Sequence, residues 1–180
     1  MIIIGVDPGT MCTGYGIICL DKNRMSRITS GCISVGAATP VAERLGKIYD
    51  NLNTILRQYK PGEFALETAF YGKNVQSALK IGFARGVCML AAIHNGIAVS
   101  EYAPREVKKS VVGNGSASKT QVQYMVTSIL DLDGNFSSMD ESDALAIAIC
   151  HAFRLQTPGF SHGRKKDWKA FVEANPDRVL

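Results

Sequence analysis

The chain has 180 residues, 46% of them apolar, and a formal net charge of +4. That length suits one domain with a closed core, and no run approaches the ~20 consecutive apolar residues a membrane-spanning helix needs. The N-terminal apolar stretch is cut short by Asp7 and does not read as a signal peptide, so a cytoplasmic protein is expected.

Three short strands open the chain, over 2–7 (IIIGVD), 14–20 (GYGIICL) and 27–35 (RITSGCISV). The loops between them are short and contain glycine, which makes the strands antiparallel neighbours. An amphipathic helix follows. Thr39 is its expected cap and Pro40 suits its first turn. Val41, Leu45, Ile48, Leu52, Ile55 and Tyr59 recur at steps of three and four, giving one buried stripe, and Pro61-Gly62 stops the helix.

A fourth strand is expected over 63–68 (EFALET) and a long helix over 74–94, rich in Ala78, Gly82, Ala84, Gly86 and Ala91. Such small residues let a sheet or a second helix approach closely. Asn95-Gly96 ends that helix. A fifth strand, 97–102 (IAVSEY), leads to a short helix from Pro104, a GNGSAS loop, a helix capped by Ser118, and a last helix over 138–155. The order predicts an α/β fold: a five-stranded mixed sheet, three antiparallel strands then parallel crossovers, with helices on both faces. Residues 1–156 form one expected domain. Residues 157–180 read as a basic tail, in which Trp168, Phe171 and Val172 are compatible with a docking turn or with disorder.

The cysteines (Cys12, Cys19, Cys32, Cys88, Cys150) are odd in number and lack C-x-x-C pairing, so they read as small buried apolar residues in a reducing compartment. The histidines are scattered, and zinc is not expected. Between Lys73 and Lys119 there are seven basic residues against two acidic ones, and Arg164-Lys165-Lys166 adds a second cluster. Such patches serve nucleic-acid binding or form solvated faces.

Two strands end on an acid. GVDPGT places Asp7 at the end of the first, and FALET places Glu67 near the end of the fourth. Each can be a turn or edge residue, or a charge fixed at a site, since sites gather at strand ends in parallel sheets. In SMDESDALAIAICHAFRL, Ser138 and Glu141 fit a capping box, and Asp140 and Asp143 share one face of the opening turns. Acids are also common there because they suit the helix dipole.

The four acids converge if the two strands are neighbours and the helix packs beside them. Like charges ~4 Å apart repel by about 4 kcal/mol at an effective dielectric of 20, so such a cluster needs protons or cations. Oxygen ligands without His or Cys select magnesium or manganese. Two such ions ~3.5–4 Å apart activate water and stabilise the leaving oxygen of a phosphodiester.

Four ordered stretches carry a resemblance: GVDPGTMCTGYG, ALETAF with GKNVQSALKIGFARG, EYAPREVKKSVVGNGSASKTQVQ, and MDESDALAIAICHAF. The chain resembles the RuvC family of Holliday junction resolvases, with the ribonuclease-H-like fold, over about residues 1 to 153. The resemblance implies a homodimeric, magnesium-dependent endonuclease with two ions per site, for which manganese can substitute. It implies paired nicks in opposed strands of a four-way DNA junction, leaving 5′-phosphate and 3′-hydroxyl ends, in recombination and repair. The implied metal ligands are Asp7, Glu67, Asp140 and Asp143. DNA contacts are implied at Lys108, Lys119 and Phe70, with Tyr71 and Lys73 beside Phe70. RuvA and RuvB are the implied branch-migration partners. Two other readings stay open: an actin-like or sugar-kinase-like ATPase using Asp7-Pro8-Gly9-Thr10, and a junction-binding protein without catalysis.

Overall fold

The computed structural model describes residues 1–68, 75–134 and 136–157. Beyond Thr157 the basic tail lies outside the described residues, as do Phe70, Tyr71 and Lys73. Among the described residues the elements run β1 (Ile2–Asp7), β2 (Cys12–Asp21), β3 (Arg24–Ser34), α1 (Val41–Tyr59), β4 (Glu63–Glu67), α2 (Val75–His94), β5 (Val99–Tyr102), α3 (Pro104–Val112), α4 (Lys119–Leu130) and α5 (Met139–Gln156). The strands form one sheet in the order β3-β2-β1-β4-β5. β1, β2 and β3 pair antiparallel, while β1–β4 and β4–β5 pair parallel. The expected mixed sheet is the observed one.

The period-2 alternation of strands divides the core. Ile4, Val6, Ile17, Phe64 and Leu66 point to one face and pack with Ile48, Leu52 and Leu56 of α1 and Cys88, Ala91 and Ala92 of α2. Ile3, Ile18, Leu20 and Ala65 point to the other, where α3, α4 and α5 lie. α5 is the central helix of that layer. Every residue from Ala144 to Ala152 is buried, as expected for a helix apolar all round. Each fully buried leucine or isoleucine there contributes about 1.5–3 kcal/mol relative to exposure.

Three glycines let α5 lie directly on the sheet. A Cβ at Gly5 would sit 2.2 Å from the Ala144 carbonyl, and one at Gly14 only 2.0 Å from the Asp140 carbonyl. At Gly16 it would meet the Leu145 side chain at 2.7 Å. These are close-approach positions, where the missing side chain is the useful property.

Several boundaries differ from the sequence reading. β2 and β3 extend toward each other around a tight turn in which Lys22 takes a left-handed conformation (φ 52°). β5 begins at Val99, because the Ile97 amide donates to Ala92 and completes the end of α2. Thr39 does not cap α1: Pro40 holds the cap position with no side-chain bond. Arg44 instead reaches back to the carbonyls of Thr39 and Ala37.

The cysteines also differ from expectation. Cys12 on β2 and Cys32 on β3 form a disulfide, with Cα atoms 5.9 Å apart, while Cys19, Cys88 and Cys150 are free. Cys12 pairs with Ser34 and Gly14 with Cys32, so the two cysteines are diagonal across the ladder. That register comes from the hairpin and is invisible in residue spacing. α2, by length and composition, passes as a membrane span. One of its faces instead lies in the core through Ala84, Cys88, Ala91 and Ala92.

Candidate active site

Asp7 follows Ile3 and Gly5 on the α5 side of β1, and Glu67 follows Ala65 on the same side of β4. Parallel pairing sets Val6 opposite Leu66, so the two acids stand side by side at the ends of adjacent strands. Ser138 fixes where α5 begins: its Oγ accepts from the Glu141 amide at 3.2 Å. That start point turns Asp140 and Asp143 toward Asp7. Carboxylate oxygens of Asp7, Asp140 and Asp143 lie within 4.8 Å of one another. Glu67 is hydrogen-bonded to Asp7. The structure thus brings the four expected acids into one place.

Electrostatics follow from the geometry. Burial, then the charges of Asp143 and Asp140, push the Asp7 carboxyl up from 3.8 to about 6. Burial and the neighbouring Asp7 and Asp143 push Glu67 from 4.5 to about 8. Desolvation and like charge act in the same direction on a carboxylate. Near neutral pH the pair shares a proton.

Lys119 enters from the first turn of α4. Its Nζ lies 2.7 Å from Asp143 Oδ2. That bond, ahead of burial, raises the ammonium above its ordinary value. α4 has a complete capping box: Ser118 Oγ accepts from the Gln121 amide, and Gln121 Oε1 accepts from the Ser118 amide. The sequence reading had Ser118 alone. Lys108 of α3 borders the same cleft. A cavity of about 290 Å³ is lined by Asp7, Glu67, Lys108, Lys119 and Asp143 over a floor of Val107, Val122 and Ala146. Acids form its depth and two lysines its rim.

Glu141 departs from its expected role. Only half of the predicted capping box forms at α5. The Glu141 side chain does not return to Ser138; it accepts from the Ser137 amide and hydroxyl and from Ser30 on β3. The disulfide partners Cys12 and Cys32 lie beside Asp140, their sulfurs within 4.8 Å of its carboxylate. The sequence held no spacing signal for either arrangement.

The donor set around Asp7 suits a hard divalent cation. It offers carboxylate oxygens from several elements, rigid strand ends, and mutual repulsion that a cation would relieve. Cys12 and Cys32 are bonded to each other and contribute no thiolate.

Comparison with known proteins gives a consistent picture. The family model described as "Crossover junction endodeoxyribonuclease RuvC" matches residues 3–151. A crossover junction endodeoxyribonuclease RuvC from Chlorobium phaeobacteroides is 44% identical, with the whole of both chains covered. One from Chloroherpeton thalassium is 42% identical over the whole of both chains. Among solved structures, Thermus thermophilus RuvC in complex with a Holliday junction substrate superposes with a TM-score of 0.82 at 31% identity, covering 87% of this chain and 95% of that one. The fold is the ribonuclease-H-like one.

Proposed function

Since this chain belongs to the RuvC family of crossover junction endodeoxyribonucleases, we propose that its acidic cleft is the catalytic centre that nicks four-way DNA junctions. The enzyme is a Holliday junction endonuclease acting in recombination and repair. The observation that carries the reading is Asp7: it faces Asp140 and Asp143 on one side and hydrogen-bonds Glu67 on the other.

Asp7, Glu67, Asp140 and Asp143 would hold two Mg²⁺ ions, with Mn²⁺ an adequate substitute. Such a pair supplies an activated water and neutralises charge on the phosphodiester during in-line displacement. The protein supplies position. Strand ends fix Asp7 and Glu67, and the helix start fixes the two aspartates. Bound cations would take the place of the proton that Glu67 and Asp7 share. No side chain is needed as nucleophile.

Lys108 and Lys119 sit where phosphates of a bound strand would pass, and each phosphate contact makes affinity fall with salt. Phe70 and Tyr71, in the segment following Glu67, are proposed to stack on an unpaired base at the junction centre, with Lys73 on the adjacent backbone. A stacked base contributes about 1–3 kcal/mol.

Two symmetric cuts call for two sites, and we assign the dimer contact to α2. Val75, Leu79, Phe83, Leu90 and Ile93 are large, apolar and 48–71% exposed. Their spacing puts them on one stripe of the helix, with Gly82 and Gly86 free of neighbours within 4 Å of a built Cβ. A two-fold contact between copies would cover that stripe. Cytoplasmic location and cooperation with RuvA and RuvB belong to the same proposal.

The test is a labelled four-way junction and a linear duplex of the same sequence, with and without Mg²⁺. The reading predicts paired nicks in the junction only, and only with the cation. Equal cutting of duplex, cutting in chelator, or full activity of Asp7→Asn would overturn it.

A further inference from the structure

We propose that Glu141 is a positioning residue for the metal-binding acids, a clamp that ties the first turn of α5 to β3 and so fixes Asp140 and Asp143. The proposal rests on the metal-site reading above.

Glu141 is 5% exposed, which is unusual for an acid one residue from a cleft. Both its oxygens are engaged by neighbours. Oε1 accepts from Ser30 Oγ at 2.6 Å; Oε2 accepts from the Ser137 amide at 2.7 Å and from Ser137 Oγ at 2.6 Å. Ser30 lies 111 residues away in the chain, in the β2–β3 ladder. The backbone of the same turn rests on β2, where a Cβ at Gly14 would meet the Asp140 carbonyl at 2.0 Å. The start of α5 is therefore seated on β2 and tied to β3.

That tie has work to do. Helix ends fray and are held by caps. The Ser138 cap supplies one bond of 3.2 Å. Against it stands the repulsion between Asp7 on the sheet and Asp140 and Asp143 on the helix, which pushes the first turn outward. Three short bonds on Glu141 oppose that push. The residue reaches no cation site itself; it acts through the turn it anchors.

The clamp needs acceptors and shape rather than charge. A glutamine can keep all three contacts. Its oxygen accepts from the Ser137 amide and hydroxyl, and its NH₂ donates to Ser30 once that hydroxyl turns to accept. An alanine keeps none.

The experiment compares wild type, Glu141→Gln, Glu141→Ala and Ser30→Ala, all as the full chain. Mn²⁺ binding is measured without DNA by electron paramagnetic resonance, junction cutting is followed against Mn²⁺ concentration, and thermal midpoints are recorded. The clamp predicts ~10-fold or more weaker Mn²⁺ binding for Glu141→Ala, the range seen when a residue supporting metal ligands is lost. It predicts a matching rise in the Mn²⁺ needed for half-maximal cutting, with recovery at high Mn²⁺, and junction affinity in chelator within twofold of wild type. Glu141→Gln should stay within about threefold of wild type in both assays, and Ser30→Ala should fall between. Ser30→Ala removes one bond, so it decides the matter if Glu141→Ala does not fold. If Glu141→Ala lowers the thermal midpoint but leaves Mn²⁺ affinity unchanged, the role is structural only and the proposal fails. If glutamine behaves as badly as alanine, charge rather than position matters and the proposal also fails. Wild type that binds no Mn²⁺ would overturn the metal-site reading itself, a distinct result.

Discussion

Glu67 is the residue whose chemistry is most exposed to test. Its folded pKa lies above its ordinary value, about 8 against 4.5, and that of Asp7 is about 6 against 3.8. A carboxyl raised on folding binds more protons in the folded than in the unfolded chain across that window. Their contribution to stability is then full below about pH 4 and is lost as pH rises through 6 to 8. In chelator, the thermal midpoint should therefore fall between pH 5 and pH 8, and divalent cation should restore it. Glu67→Gln removes the upper part of that titration and leaves Asp7. We expect it to raise the midpoint at pH 8 by roughly 2–4 °C, about 1 kcal/mol for a chain of this size, while abolishing cutting. A flat midpoint from pH 5 to 8 in chelator would contradict the buried carboxyl pair. Lys119 makes a separate prediction. Its pair with Asp143 is largely solvent-facing on the lysine side, 58% exposed, so it adds little stability. Lys119→Ala should leave the thermal midpoint nearly unchanged yet weaken junction binding. The slope of log affinity against log salt should drop by about 1, as one phosphate contact is lost. Unchanged affinity at several salt concentrations would remove Lys119 from the DNA contacts.

At the scale of elements, the site depends on how closely α5 approaches the sheet. Gly14→Ala forces a Cβ into the Asp140 carbonyl. Overpacking of this kind costs about 1–3 kcal/mol, and here the displaced group is the helix turn that bears two of the acids. Chemical denaturation should show the stability loss, and cutting at fixed magnesium should fall with it. A variant as stable and active as wild type would mean that α5 has room the structure denies it. The contact also shows what the chain made legible. The start of α5 was readable because Ser138 and the apolar run after it are local signals. The alignment of Asp7 with Glu67 was readable as a strand-end pattern, given neighbouring strands. The reason for Gly5, Gly14 and Gly16 was not, because their partner lies some 130 residues on. For the same reason Glu141 read as a local capping group. The donors it accepts from include Ser30, and no short-range pattern encodes that contact. The Cys12–Cys32 bond was hidden likewise, since a diagonal pair depends on hairpin register. Thr39 failed as a cap because Pro40 and Arg44 settle that helix start between them.

On the scale of the whole molecule, the two faces of the sheet have different duties. On the α3–α5 side, strand-end Asp7 and Glu67 meet Asp140 and Asp143 of α5 and the lysines of α3 and α4. The α1–α2 layer closes the second core and turns the apolar stripe of α2 outward. Both layers were expected from the order of strands and helices: the crossover helices α1 and α2 share one face, and the helices after the last strand cover the other. The stripe itself was less legible, because small and large apolar residues alternate along α2 and the buried face is the one lined with alanine. Pairing through the stripe predicts that Leu79→Glu with Phe83→Glu yields a monomer in analytical ultracentrifugation. That monomer should keep its fold and lose the coupling of the two nicks. A dimer that survives both charges would place the contact elsewhere.

The central claim is that four acids distant in sequence form a single binuclear centre. Crystals of the full chain grown with Mn²⁺, with anomalous scattering recorded at the manganese edge, test it most directly. Two anomalous peaks about 4 Å apart, bounded by Asp7, Glu67, Asp140 and Asp143, are expected. Manganese bound elsewhere, with no peak touching Asp7, would contradict the claim.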